Sequence, residues 1–148
     1  MACAQQAPAQ AQREWRDNGV ALLPLGSRFE AARLPEQLVL AAMCTTNPQQ
    51  ITALLPRALN GPVIYDNRAM GGTYYALMRP RADRAWTHQA VAPRLGAGNY
   101  LVVPRLDRTH PPGTHWVVTP RFGGDLCEPE TVEALISCGL GVRQEAQR

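Results

Sequence analysis

The chain has 148 residues, the size of one domain. With 45% hydrophobic and 18% charged residues it is excluded from the bulk-disordered and fibrous classes. Fifteen basic against twelve acidic residues give a net charge of +3, short of the basic stripe of a dedicated nucleic-acid binder. The longest apolar runs, Val20 to Leu23, Val39 to Cys44 and Leu101 to Val103, fall far below the roughly 18 residues of a membrane span, so no membrane partner is expected.

Residues 1–12 are an Ala/Gln/Pro tract with little large apolar surface, which predicts a disordered tail. The tract lacks the basic and continuous apolar regions of a secretory signal, and cytoplasmic residence is the expectation. A single globular domain is expected over 13–142, with a flexible C-terminus at 143–148. A short helix over Arg13 to Asn18 would turn Trp15 inward and stop at Gly19, and Val20 to Leu25 reads as a buried strand closed by Gly26 and Ser27. From Pro35 the spacing of Leu38, Val39, Ala42 and Met43 predicts a helix. A second helix starts at Asn47 as N-cap with Pro48 at N1, and its apolar face is Ile51, Leu54, Leu55 and Leu59. Pro56 predicts a kink or an end near Leu55, and Asn60 and Gly61 close the region.

Beyond this point the pattern predicts a strand meander of Pro62 to Tyr65, Thr73 to Met78, Asn99 to Val103 and His115 to Thr119. Residues 66–72, ending in Gly71-Gly72, suit a hairpin loop, and Trp86 is expected to pin the longer connection from Arg79 to Pro93. Pro111, Pro112 and Gly113 exclude regular structure within 105–114. The last helix is expected over Glu128 to Cys138, with Pro129 at N1, Val132, Leu135 and Ile136 as its apolar stripe and Gly139 at C′. The order αβααββββα predicts an α+β domain with a mostly antiparallel sheet and flanking helices.

Cys3, Cys44, Cys127 and Cys138 show no ligand spacing and are expected to be reduced thiols, with Cys44 and Cys138 buried on helices. His110 and His115 are separated across Pro-Pro-Gly without a neighbouring Cys or carboxylate pair, and His88 reads as a solvated loop residue, so no metal site is expected. Ser27 and Ser137 stand outside any nucleophile elbow, and Gly71-Gly72 and Gly96-Ala97-Gly98 read as turns; the absent Lys excludes a P-loop. No cofactor is expected. All fifteen basic residues are Arg, as GC-rich codon usage would give, although the guanidinium fork also suits phosphates and carboxylates. Arg28 and Arg33, then Arg79, Arg81 and Arg84, then Arg105 and Arg108 recur in loops, where they would form a positive rim if the loops share one end of the sheet.

Three segments, Gly-Val-Ala-Leu-Leu-Pro-Leu-Gly-Ser-Arg-Phe-Glu, Gly-Pro-Val-Ile with Gly-Gly-Thr-Tyr-Tyr, and Gly-Ala-Gly-Asn-Tyr-Leu-Val-Val-Pro with His-Trp, together resemble a shortened prim-pol domain. That domain belongs to the bifunctional DNA primase/polymerases of the archaeo-eukaryotic primase superfamily, as found in actinobacteria. The resemblance runs from about Trp15 to Pro120. It implies an acidic D-x-D/E motif holding two metal ions, a His after Gly-Gly that touches phosphates, and a third acid. At those positions this chain has Phe29-Glu30-Ala31-Ala32-Arg33, Tyr74, and Ala92-Pro93-Arg94. One vestigial carboxylate, Glu30, cannot hold two divalent ions, so the resemblance implies a pseudoenzyme without polymerase or primase activity.

The expected role is therefore binding of nucleic acid, a nucleotide or a protein partner. Arg28, Arg33, Arg105, Arg108 and His110 are the expected phosphate contacts, with Tyr74 and Tyr100 as stacking surfaces. Packing across strands is the alternative for both tyrosines. Two other functions compete. One is a metal-dependent nucleotidyltransferase using Glu30, Asp66 and Asp107, which requires the three carboxylates to converge. The other is a structural or regulatory protein-interaction domain, which an exposed apolar patch without a basic groove would favour.

Overall fold

The computed structural model describes residues 8–67, 71–81 and 85–146, and among them the chain forms four helices and seven strands. Their order is α1 (Pro8–Asn18), β1 (Val20–Pro24), β2 (Glu30–Pro35), α2 (Glu36–Ala42), α3 (Pro48–Leu59), β3 (Val63–Asp66), β4 (Thr73–Met78), β5 (Arg94–Leu95), β6 (Tyr100–Pro104), β7 (His115–Val118) and α4 (Pro129–Ala146). Strands β1 and β6 form a two-stranded ribbon, and the others form a five-stranded sheet in the order β5-β2-β4-β3-β7. Every paired strand runs antiparallel to its neighbour, so the fold is a small α+β domain.

Alternation along the central strands sends side chains to two opposite layers. On β4, Tyr74, Ala76 and Met78 join the core beneath α2, α3 and α4, while Leu77 joins the core beneath the ribbon. Ile64 of β3 and Trp116 of β7 complete that second core together with Leu23, Phe29 and Leu101. The Trp116 indole donates to the Pro104 carbonyl at 3.0 Å, tying the ribbon to the sheet edge.

Several expectations are corrected by long-range packing. The first helix begins at Pro8, within the expected tail, because Ala11 and Trp15 lie one turn apart and both pack against the ribbon. The Trp15 indole donates to Val103 O at 2.9 Å, and Glu14 accepts the Leu22 amide at 3.2 Å. The first seven residues of the expected tail lie outside the described residues.

Strand β2 has no place in the element order read from propensity, since Glu-Ala-Ala-Arg-Leu-Pro has weak β propensity. It exists because β4 pairs with it along its whole length. Ala31 and Ala32 are fully buried, and their small side chains let both layers close on it. The meander is likewise replaced. β6 leaves for the ribbon, whereas β7 pairs with β3 at the edge of the main sheet.

Helix α3 continues through Pro56 to Leu59. The buried stripe Ile51, Leu55 and Leu59 holds it, and the bond that Pro56 cannot donate falls on an exposed side, where water can satisfy the carbonyl. Asn60, at φ 51, then caps the helix in the left-handed conformation.

Helix α4 runs through Gly139 to Ala146 rather than stopping, so helix continues into the expected flexible end. Gly139 is a contact point between helices: a Cβ there would lie 2.7 Å from the Leu38 carbonyl of α2. Cys44, which follows α2 at φ 54, and Cys138 are exposed, contrary to expectation, and among the described residues Cys127 is the buried thiol. His88 is half-buried edge-on to Trp86 rather than solvated, and Trp86 pins its loop by donating to Ala92 O at 2.8 Å.

Candidate functional site

Four loops meet at the end of the main sheet where β2 starts and β4 finishes. They enclose a cleft of about 660 Å³, within the size range of small-ligand sites. The loop before β2 contributes Arg28 and Phe29, and the exit of β4 contributes Arg79 and Pro80. Leu106 follows β6, and the segment from Pro120 to Leu126 follows β7.

The local structure of this last segment sets the chemistry of the cleft. Asp125, 4% exposed, accepts from the Arg121 backbone amide at 2.9 Å, from its Nε at 3.0 Å and from its Nη2 at 3.0 Å. The Asp125 amide in turn donates to Phe122 O at 3.1 Å, closing a turn over Gly123 and Gly124. Gly124 takes φ +84, a conformation that favours glycine. The hydrogen bonds from Arg121 hold the Asp125 carboxyl below its ordinary range against the opposing effect of burial, and the same contact raises Arg121. Arg121 Cζ also stands 5.8 Å from the centre of the Phe122 ring, a cation–π contact that orients an otherwise exposed aromatic side chain.

The remaining wall is charged at one side and apolar at the other. Arg79 Nε donates to Glu128 Oε1 at 2.7 Å, at the start of α4. Arg28 is exposed and makes no ion pair among the described residues. Leu106 and Phe122, 56% and 58% exposed, are two of the six large apolar side chains left exposed among the described residues, and both stand at this cleft. Behind it, Cys127 packs against the backbone of Gly61, and burial pushes its thiol up to about 12.

The expected rim is split by the fold. Arg28 joins the cleft, but Arg33 lies further along β2 beside a separate depression with Pro35 and Gly72. Arg105 is paired with Asp107 at 2.6 Å, and Arg108 packs over Gly19, where a Cβ would meet its Nη2 at 2.7 Å. His110 is exposed, with Nδ1 3.0 Å from Thr109 Oγ1. Arg84 lies outside the described residues. Tyr74 is 3% exposed and packs on Tyr65 with ring centres 4.8 Å apart, so it offers no stacking face. Burial and the nearby Glu36 push its hydroxyl far upward. Tyr100 is exposed on the ribbon and does not line the cleft.

The three carboxylates of the metal-dependent alternative do not converge. Glu30 pairs with Met78 and Asp66 with Thr73, at opposite ends of β4, about 17 Å apart at roughly 3.3 Å per residue. Asp107 is held by Arg105 on a loop, and no group of three His, Cys, Asp or Glu able to hold a metal occurs among the described residues. The Glu30 Oε1 atom is buried without a hydrogen-bond partner, and the Arg94 guanidinium stands 3.9 Å from it.

Sequence reading missed Phe122, Arg121 and Asp125. The available signal was Arg-Phe-Gly-Gly-Asp, an arginine and an acid four apart around a glycine turn with an aromatic residue between them. No protein-family model, no curated protein and no solved structure matches this chain.

Proposed function

We propose that the chain is a binding domain whose site is this loop cleft, and that its ligand joins an anionic group to an apolar or aromatic one. The observation that carries the reading is the meeting of Arg28, Arg79, Arg121 and an exposed, oriented Phe122 around one concavity. Guanidinium groups supply charge-assisted hydrogen bonds to phosphate or carboxylate, and a free aromatic face accepts a planar group. A nucleotide or the end of a single strand has this composition. In that form the reading keeps the proposal of a degenerate prim-pol-like domain that binds without transferring nucleotides. It draws support from the single carboxylate at the two-acid position, which stands beside Arg94.

Amide chemical-shift mapping with phenyl phosphate tests the site. Shifts centred on Arg28, Phe122, Gly123 and Gly124, reduced in Phe122→Ser, are expected. Shifts centred elsewhere, or none at millimolar ligand, would overturn the reading.

A second reading, an acidic and apolar peptide segment as ligand, is favoured by the exposed Leu106 beside Phe122. Mapping with such a peptide would shift Leu106 amide signals more than phenyl phosphate does.

A further inference from the structure

The charges around the cleft are unequal in availability. Arg121 is matched by buried Asp125 through two side-chain hydrogen bonds, and Arg79 is matched by Glu128 at 2.7 Å. Glu128 also lies 3.5 Å from Arg81, which reaches Glu130 at the same distance. These arginines are held by acids of the chain itself, and a ligand anion would have to compete with each acid. Among the described residues Arg28 alone at this cleft has no acidic partner. Three guanidinium charges, two of them already matched, leave one to be answered.

We infer that the cleft selects a small amphipathic monoanion, one carboxylate, sulfonate or phosphate diester carried on an aromatic or branched apolar body, in preference to a polyanion. The inference rests on the proposed binding function and narrows it to ligands with less charge than a nucleotide or a strand end. Arg28 takes the anionic group, because among the described residues it meets no competing carboxylate. The apolar body lies against Leu106, Pro80 and the Phe122 ring, whose orientation is set by Arg121. A chain of phosphates would place further charges beside Asp125 and Glu128, where like charges repel.

Three probes separate the outcomes: 1-anilinonaphthalene-8-sulfonate, an aromatic monoanion; the neutral N-phenyl-1-naphthylamine; and fluorescein-labelled oligothymidylate, a polyanion. Each is titrated into the folded chain, with near-ultraviolet circular dichroism confirming that tertiary packing is intact. The sulfonate is expected to bind saturably at one site, and Arg28→Ala is expected to weaken it about ten-fold, the loss of one charge-assisted contact. Arg28→Ala should leave the neutral probe unchanged, while Phe122→Ser weakens both probes. Oligothymidylate should bind more weakly than the sulfonate, with a salt slope no steeper than about -0.7, one phosphate contact. Tighter binding of oligothymidylate with a slope of about -2 or steeper would overturn monoanion selectivity and leave the binding function standing. Equal weakening by Arg28→Ala and the remote Arg57→Ala would remove Arg28 from its role. Failure of all three probes to bind would overturn the binding reading itself.

Discussion

Gly139 and Gly141 sit two residues apart on α4, and the same substitution at each is expected to change stability in opposite directions. In a helix interior, alanine is favoured over glycine by about 0.8–1 kcal/mol, through backbone entropy and shielding of the helix bonds. At Gly141 a Cβ would meet nothing within 4 Å, so Gly141→Ala should realise part of that gain, about 0.5 kcal/mol near the helix end. At Gly139 the added Cβ would lie 2.7 Å from the Leu38 carbonyl oxygen and 2.8 Å from Leu38 Cδ1. The side chain could rotate away, but the carbonyl belongs to the backbone of α2. Separating the two helices costs about 1–3 kcal/mol, as overpacking does elsewhere, and outweighs the propensity gain. Gly139→Ala is therefore expected to lower stability by about 1 kcal/mol. For a chain of this length the two variants should melt about 5 °C apart, on either side of the parent. Urea titrations followed by tryptophan fluorescence and by circular dichroism would measure both. If Gly139→Ala were as stabilising as Gly141→Ala, the close crossing of α2 and α4 would be wrong.

Other perturbations probe separate parts of the argument. Asn47→Ala removes the side-chain oxygen that accepts the Gln49 amide at 3.0 Å and should cost about 1 kcal/mol in a denaturant titration; an unchanged midpoint would refute the cap. The carboxyl of Asp125 titrates below its ordinary range in the folded chain, so its contribution is fully present above the unfolded value and is lost as pH falls through the folded one. The acid limb of a stability-against-pH curve should accordingly flatten in Asp125→Asn, and identical limbs in parent and variant would count against the Arg121–Asp125 contact. A thiol reagent at neutral pH should modify Cys44 and Cys138 in the folded chain but reach Cys127 only after unfolding, as peptide mass spectrometry would read. Prompt labelling of Cys127 would contradict its burial.

Features with strong local signals were legible in the residues themselves. Asn47-Pro48 marked the start of α3 and Asn60 its end, because a cap acts within one turn of chain. The stripe of Val132, Leu135 and Ile136 placed the buried face of α4, and the β-branched and aromatic runs located β3, β4, β6 and β7. Such signals are set by propensity and periodicity over a few residues, which is why the α+β class followed from them. Where local preference was weak or misleading, only tertiary contacts decided the outcome. Strand β2 is built of residues that favour other states and is imposed by β4, while Gly139, a plausible stop, became the place where two helices approach. The candidate site depended on tertiary structure most of all, since its side chains come from four loops and Arg79 meets Glu128 across 49 residues of chain. Composition and spacing determined the elements with strong local signals. The pairing of distant strands decided which arginines meet, because a concavity is a property of loops that converge in space and leaves no periodic trace along the chain.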